Sequence, residues 1–210
     1  MILHGYFRSS ASYRVRIALN LKGLAARHVT HQLRKGEQRG AEYLELNPQG
    51  LVPVLVADDG QSLAQSLAII EWLDEMHPKP ALLPADPWQR ARARSLAQII
   101  ACDTHPLQNL KVLQRLQAMG HTESVAHDWA RSVNDEGLAA CERILANEPG
   151  PFCFGVMPTL ADICLVPQLA NARRFKVDVA KFPRLLAAEA AAGELPAFRD
   201  AAPERQPDAE

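Results

Sequence analysis

Short apolar runs alternate with helical periodicities along the first 80 residues of the chain. This alternation predicts a β-α-β unit followed by a β-β-α unit. Strands are expected over residues 2–6 and 27–32. A β-hairpin is expected over residues 51–64, because the apolar run from Leu51 to Val56 precedes the turn sequence Asp58-Asp59-Gly60.

Two helices complete this α/β pattern. The first is expected over residues 13–22, with an apolar stripe on one side and with Arg14 and Lys22 able to face water. The second is expected over residues 67–77, where the hydroxyl of Ser66 can cap the first turn. The spacing therefore predicts helices packed on a small sheet.

From Trp88 onward the strand pattern disappears and long helical periodicities follow. We therefore expect an α/β domain over residues 1–80 and an all-helical domain over residues 87–210. Pro106 is expected to kink or break the first long helical stretch. The polar, proline-bearing stretch 201–210 is expected to lie on the surface or to fray.

Composition and charge exclude several classes of function. A total of 23 Lys and Arg residues against 24 Asp and Glu residues gives a net charge of −1, so the basic footprint of a nucleic-acid-binding protein is missing. Neither a membrane span nor a leader segment is recognisable, which predicts a cytoplasmic protein. The four cysteines lack metal-type spacing and are expected to be buried and reduced, so neither a metal nor a disulfide is expected.

A serine-rich segment from Arg8 to Arg14 follows the first predicted strand and opens the first predicted helix. A helix N-terminus presents unpaired N–H groups and a partial positive charge, so it stabilises an anion. Lowering a thiol pKa of ~8.5 by about two units requires roughly 2.7 kcal/mol, which hydroxyl donors and a helix terminus can supply together. The alternative for Ser9, Ser10 and Ser12 is a purely structural helix cap.

Two further segments favour a peptide-binding site. Residues 49–53 lead into a strand, and a cis bond before Pro53 would turn the Val52 backbone outward to pair with an extended peptide. Gln65 and Ser66 stand at the start of the next helix, where polar side chains and backbone N–H groups can grip a carboxylate. Three polar loops are thus expected to converge at one sheet edge, which suits a small, charged, extended peptide.

Several motifs together carry a resemblance to a known family: Ser9-Ser10-x-Ser12-x-Arg14-Val15-Arg16-Ile17-Ala18-Leu19, Leu46-Asn47-Pro48, Val52-Pro53, Gln65-Ser66-Leu67-Ala68-Ile69-Ile70-Glu71, Leu82-Leu83-Pro84 and Thr159-Leu160-Ala161-Asp162. The sequence resembles the zeta class of glutathione transferases, which includes maleylacetoacetate and maleylpyruvate isomerases. The resemblance covers nearly the full chain. It implies the glutathione transferase fold, a thioredoxin-like N-terminal domain followed by an all-α C-terminal domain. It also implies a homodimer with one active site per subunit, and glutathione as the cofactor.

The resemblance also assigns individual residues. Ser9 matches the thiol-activating serine of the family, Ser10 is expected to be a supporting donor, and Arg8 lies beside them. Thr159 and Asp162 have the spacing of a capping box and are assigned to stability rather than catalysis. The expected glutathione contacts are Ser9, Ser10, Ala11, Ser12, Tyr13, Arg14, Gln38, Val52, Gln65, Ser66, His105, Asn109, Leu110 and Lys111.

This chain departs from the family pattern at two positions. Ala11 stands where a cysteine is usual and Tyr13 where a tryptophan is usual, so hydroxyls and the helix terminus must activate the thiol. Tyr6 is a rival hydroxyl, because other classes of the superfamily use an N-terminal tyrosine, but as a strand residue it is expected to pack. His105 has an equally good alternative as a hydrogen-bonded bend beside Pro106.

The family substrates are dicarboxylates that bear a conjugated ketone, so cations are needed for the carboxylates and for a developing enolate. Arg8, Lys111 and Arg174 are the expected substrate-binding cations, whereas Arg173 is expected to be a solvated surface charge. The expected function is glutathione-dependent cis–trans isomerisation of maleylacetoacetate or maleylpyruvate in aromatic or tyrosine breakdown. The alternatives are a glutathione transferase or dehalogenase that conjugates small α-halo acids, and a non-catalytic binding module.

Overall fold

The computed structural model describes every residue from Met1 to Glu210 and divides into two compact units. The first unit contains Met1–Leu82 together with Gly193–Glu210, and the second contains Leu83–Ala192. Residues 193–210, which belong to the helical domain expected over residues 87–210, group here with the α/β unit.

A four-stranded mixed sheet forms the centre of the first unit, with the strand order β2-β1-β3-β4. The strands are β1 (Ile2–Gly5), β2 (Arg27–Thr30), β3 (Val54–Val56) and β4 (Ser62–Ala64). Strands β1 and β2 are parallel, as a crossover helix between them requires, and the hairpin β3–β4 is antiparallel to β1. The predicted β-α-β and β-β-α order is confirmed.

Three helices accompany the sheet: α1 (Ser10–Lys22), α2 (Ala41–Leu46) and α3 (Ser66–Met76). Helix α2 has six residues and was not predicted, because so short a segment shows no helical period. Helix α1 ends at Gly23, whose φ of 64° is the left-handed conformation that glycine adopts readily.

The expectation that Arg14 and Lys22 face water is wrong. Arg14 is only 1% exposed and Lys22 only 9% exposed. The Lys22 ammonium donates to the Asp74 carboxylate and to the carbonyls of His77 and Pro80. Helix α1 is therefore buried on its polar side too. Burial of its cations is possible because oxygen atoms more than 50 residues away in the sequence replace water as their hydrogen-bond partners.

The expected capping role of Ser66 is also wrong. Gln65 is the N-cap residue of α3, and its side chain makes no capping hydrogen bond. Ser66 is the first helical residue, and its hydroxyl accepts a hydrogen bond from Arg14 at 3.3 Å.

Residues 193–210 do not fray. They contain the short helix α9 (Pro196–Arg199) and a 3-10 turn over Pro203–Arg205, and Ala201, Ala202 and Gln206 are buried. The side-chain amide of Gln206 donates to the carbonyls of Asp200 and Ala202, both at 2.9 Å. Of the two alternatives expected for residues 201–210, the structure shows a segment laid on the first unit rather than a frayed end, because internal hydrogen bonds satisfy its polar groups.

The second unit is helical: α4 (Pro87–Gln98), α5 (Leu110–Ala118), α6 (Glu123–Leu145), α7 (Leu160–Arg174) and α8 (Pro183–Gly193), whose last residue belongs to the first unit. The predicted break at Pro106 is confirmed. A π-helical stretch over Ile99–Thr104 and a 3-10 turn over Pro106–Gln108 separate α4 from α5.

A capping box begins α7, as the sequence predicts. The Thr159 hydroxyl accepts from the backbone of the first turn, and the Asp162 carboxylate accepts from the Thr159 amide at 2.8 Å. Asp162 also accepts from the amide of Cys153 at 2.8 Å and is 1% exposed. Burial raises the pKa of Asp162, while these hydrogen bonds act in the opposite direction.

Three of the four cysteines are buried as expected, but Cys102 is exposed, and none forms a disulfide. Burial raises the pKa of Cys141 to about 12, so this thiol stays protonated. No helix combines the length and the apolar character that crossing a membrane requires.

Replacing Asp162 by alanine should lower the free energy of unfolding by about 2–4 kcal/mol, because two buried amides lose their acceptor. Chemical denaturation measures this change. The matched control is Asp128→Ala, which removes an exposed carboxylate paired with Arg131 and should leave the free energy of unfolding nearly unchanged. Equal effects of the two substitutions would contradict the structural role of Asp162.

Candidate functional site

Three segments meet at one edge of the sheet in the first unit. The register pairs His4 of β1 with Val54 of β3, and Val54 with Ala64 of β4. Strand β1 therefore ends, β3 begins and β4 ends at the same edge. The segments that continue from these points are residues 6–10, 49–53 and 65–66, so the predicted convergence of three polar loops is confirmed.

Ser9 is the N-cap residue of α1. Its hydroxyl oxygen accepts a hydrogen bond from the Ser12 amide at 3.2 Å, and its own amide donates to the Tyr6 carbonyl at 3.0 Å. The side chain is half-buried. Because the hydroxyl serves as acceptor in the cap, its proton can still be donated to a neighbouring anion. The cap and the thiol-activating role are therefore compatible.

The serine cluster separates into two parts. At the start of α1, Ser9 is half-buried and Ser10 is 6% exposed, whereas Ser12 is fully buried. A Cβ atom on Gly5 would lie 3.1 Å from the Ser12 hydroxyl oxygen, so the Ser12 side chain is turned toward β1. The ring of Tyr13 is also buried, and its hydroxyl donates to the carbonyl of Phe198 at 3.4 Å. Ala11 is half-buried on the same turn.

Arg14 joins the starts of the two helices that reach this edge. Its guanidinium donates from Nη1 to the Ser66 hydroxyl, which sets the first residue of α3 against α1. The preceding residue, Gln65, has φ 72° and ψ 115°, a backbone conformation that side-chain-bearing residues rarely adopt. Its amide donates to the side-chain oxygen of Gln49 at 2.8 Å. Unusual backbone of this kind is concentrated at functional sites.

Val52 lies just outside the sheet. The bond between Val52 and Pro53 is cis, and the pairing of β3 starts only at Val54. The carbonyl of Leu51 accepts from the Tyr43 hydroxyl and from the Asn47 amide, both at 2.7 Å. Burial raises the pKa of Tyr43, so the phenol remains a donor at neutral pH. This pair of donors holds the chain before Val52, and no pattern in the sequence predicts it.

Some polar atoms at this edge have no partner within the protein. Gln38 is 7% exposed, and its side-chain oxygen is buried without a hydrogen bond. The Nε atom of Arg8 is likewise buried without a hydrogen-bond acceptor. Buried polar atoms normally find partners, so these two fit contacts with a polar ligand. The hydroxyl of Tyr6 is also buried without a hydrogen-bond partner, and its ring packs edge-on against Phe7, with the ring centres 4.7 Å apart.

The remaining expected residues belong to the second unit. His105 follows the π-helical stretch, and Asn109 caps α5 through a hydrogen bond from the Lys111 amide at 3.4 Å. Leu110 is half-buried and Lys111 is exposed. Beside them, Gln108 is 2% exposed, and neither atom of its amide group has a hydrogen-bond partner.

Arg173 and Arg174 end α7 in different environments. Arg173 forms a two-pronged ion pair with Glu189, which agrees with its assignment as a surface charge. Arg174 is an exposed residue, and its guanidinium carbon lies 5.0 Å from the centre of the Phe175 ring. Phe175 packs in one apolar cluster with Leu113 of α5, so the end of α7 is fixed against α5.

Comparison with known proteins places the chain in a family. Residues 8–76 match the family described as "Glutathione S-transferase, N-terminal domain", and residues 112–191 match "Glutathione S-transferase, C-terminal domain". A maleylacetoacetate isomerase of Pseudomonas aeruginosa is 48% identical over 210 residues, which cover 99% of this chain and 98% of the relative.

Two solved structures are similar over their full length. The holo structure of a maleylpyruvate isomerase, a bacterial zeta-class glutathione S-transferase, has a TM-score of 0.97 at 46% identity and full coverage of both chains. A maleylacetoacetate isomerase from Methylobacterium extorquens, solved with bound malonate and glutathione, has a TM-score of 0.97 at 41% identity, again with full coverage of both.

The chain therefore belongs to the glutathione S-transferase family. Within that family it is a member of the zeta class, together with the maleylacetoacetate and maleylpyruvate isomerases.

The backbone of Gln65 can be tested by two substitutions that remove the same side chain. Gln65→Gly should be more stable than Gln65→Ala by about 1 kcal/mol, because glycine adopts a positive φ without steric conflict. Thermal or chemical denaturation measures the difference. If alanine is as stable as glycine at this position, the backbone there is not strained.

Proposed function

We propose that this protein is a glutathione-dependent cis–trans isomerase that acts on maleylacetoacetate or maleylpyruvate. The observation that carries the proposal is the Ser9 hydroxyl at the start of α1, at the sheet edge where Val52 and Gln65-Ser66 also lie. The close similarity to isomerases of both substrates supports the same reaction class.

When bound, glutathione supplies a thiolate that adds to one carbon of the cis double bond, and the electrons of that bond move onto the conjugated ketone oxygen. The former double bond is now single and can rotate. Return of the electrons from the oxygen then expels the sulfur and leaves the trans isomer. The side chains of this protein must therefore hold the thiol ionised and balance a negative charge on oxygen.

Ser9 holds the thiolate by donating its hydroxyl proton, and Ser10 is the supporting donor. The first amides of α1 add their dipoles, since they have no partner within the helix. Hydrogen bonds to a charged group contribute about 1.5–3 kcal/mol each. Such a contribution corresponds to a decrease of about one to two units in the thiol pKa.

The rest of the glutathione peptide is held by the neighbouring segments. The backbone of Val52 is available for pairing because it lies outside the β3 ladder. Gln65 and the start of α3 bind a carboxylate, and the side-chain oxygen of Gln38 accepts from an ammonium or amide donor. Backbone groups of residues 11–14 and the second-unit residues His105, Asn109, Leu110 and Lys111 complete the proposed contacts.

Arg8, Lys111 and Arg174 bind the carboxylates of the keto-acid substrate and offset the charge that develops on the ketone oxygen. The malonate in the Methylobacterium relative is itself a dicarboxylate, which supports a dicarboxylate site. The proposed assembly is a homodimer with one site per subunit. Cysteines that form no disulfide suit the reducing cytoplasm, where we place the protein.

The isomerase assignment is tested by absorbance assays with both substrates, with and without glutathione. We expect turnover only when glutathione is present, and its concentration should stay constant while the trans product accumulates. Stoichiometric consumption of glutathione would instead indicate a transferase or dehalogenase. A calorimetric titration without glutathione binding would indicate a non-catalytic module.

Ser9→Ala should raise the pKa of the bound thiol, so the acidic limb of the kcat/KM profile should move up by about one unit or more. It should also cost about 1 kcal/mol of stability through loss of the helix cap. Ser9→Thr, which keeps a hydroxyl, should retain the wild-type profile. Ser12→Ala should leave the pH profile at its wild-type position, because the hydroxyl of Ser12 faces β1. A shift as large as that of Ser9→Ala would contradict the separation of Ser12 from Ser9 and Ser10.

Arg174→Ala should raise KM for the dicarboxylate about tenfold, with a smaller change in kcat, because a cation that binds the carboxylate in ground and transition states alike is lost. Steady-state kinetics measure both constants. The matched control is Arg173→Ala, the adjacent arginine whose guanidinium is paired with Glu189. Equal KM values for the two variants would contradict the assignment of Arg174 to the substrate site.

A further inference from the structure

The turn from Tyr6 to Ser9 presents the proposed thiol-activating hydroxyl, and its backbone is held from outside the turn. The carbonyls of Tyr6 and Phe7 accept from the Arg16 guanidinium at 3.4 and 3.0 Å. The amide of Phe7 donates to the Asp208 carboxylate at 3.0 Å. Three backbone groups of one turn are thus bonded to two charged side chains.

Arg16 lies on α1 two helical turns beyond Ser9 and is 4% exposed. Its Nε atom donates to the carbonyl of Ala201 at 2.9 Å, so one guanidinium bridges the turn and the segment 195–208. Burial lowers the pKa of Arg16 to about 10, while the negative charge of Asp208 acts in the opposite direction. Arg16 therefore remains a cation at neutral pH and needs these oxygen partners.

The segment 195–208 is docked along α1 by further hydrogen bonds. The Tyr13 hydroxyl donates to the carbonyl of Phe198, and the Asn20 amide donates to the carbonyl of Ala197 at 3.0 Å. Phe198 is 1% exposed. Asp208 therefore meets Phe7 from a segment that is itself fixed, 201 residues further along the chain.

We infer that Arg16 and Asp208 are positioning residues, which act through the Tyr6–Ser9 turn to place the Ser9 hydroxyl against the thiol. This inference rests on the proposed function. Preorganised donors lose much of their effect when they are displaced by about 1 Å, so a turn that is free to relax stabilises the thiolate less. The titratable groups near this pair include Tyr6, Tyr13 and His28. Burial and the charge of Arg16 lower the pKa of His28, while the charge of Asp208 acts in the opposite direction, so His28 is neutral at neutral pH.

The test compares Asp208→Ala with Asp208→Asn in the full chain. The alanine variant leaves the Phe7 amide without its acceptor and should lower kcat/KM about tenfold at neutral pH, with the acidic limb of the pH profile about one unit higher. Asparagine keeps an oxygen acceptor and should restore most of the wild-type profile. KM for the dicarboxylate should change little in both variants.

The matched control is Asn20→Ala, which loosens the same segment at Ala197 without touching the turn. It should lower Tm slightly and leave the pH profile at its wild-type position. Circular dichroism verifies that each variant folds. If the alanine variant does not fold, Asp208→Gln replaces it in the test. Its side chain displaces the acceptor by one methylene, so the acidic limb of its pH profile should shift by an intermediate amount.

A wild-type pH profile in Asp208→Ala, or an equal shift in Asn20→Ala, would overturn the inference, because the contact would then stabilise the fold without directing Ser9. Failure of the proposed function looks different: the wild-type protein itself would neither bind glutathione nor isomerise the substrates, and this result would remove the inference as well.

Discussion

The hydrogen bond from the Ser12 amide to the Ser9 hydroxyl fixes where α1 begins, and it therefore decides which side chain stands at the edge of the sheet. If the helix began one residue later along the chain, Ser10 rather than Ser9 would be its N-cap residue. Because β1 ends, β3 begins and β4 ends at this edge, the polar groups of three segments lie around one helix N-terminus. The chemistry proposed for this protein needs that juxtaposition, since one hydroxyl lowers a thiol pKa by about one to two units but does not bind the rest of the glutathione peptide.

Buried cations on α1 hold this arrangement in place. Arg14 reaches the start of α3, Arg16 reaches the Tyr6–Ser9 turn, and Lys22 reaches the end of α3. Burying a charge is unfavourable unless hydrogen bonds and opposite charges replace water, so each cation restricts the neighbouring segment to a place where it supplies oxygen atoms. Such contacts favour one defined geometry more than they add stability, which is what a preorganised site requires.

Local patterns in the sequence predict the succession of strands and helices in the first unit and the capping box of α7, because neighbouring residues determine them. Helix α1 begins at Ser10, three residues before the expected start at residue 13. The burial of Arg14 and Lys22 could not be predicted in this way, since their partners lie 52 or more residues away. The orientation of Ser12 depends on the close approach of α1 to Gly5, and residues 201–210 are held in part by the hydrogen bond from Arg16 to the Ala201 carbonyl. A charged residue within an apolar helical stretch is the one signal that could have indicated these contacts.

The most direct test of the account is the pKa of the glutathione thiol when it is bound to the wild-type protein, measured from the ultraviolet absorbance of the thiolate as a function of pH. The account predicts an apparent pKa about two units below the value of ~8.5 for an unperturbed thiol. A bound thiol that titrates at the unperturbed value would contradict the claim that Ser9 and the N-terminus of α1 ionise it.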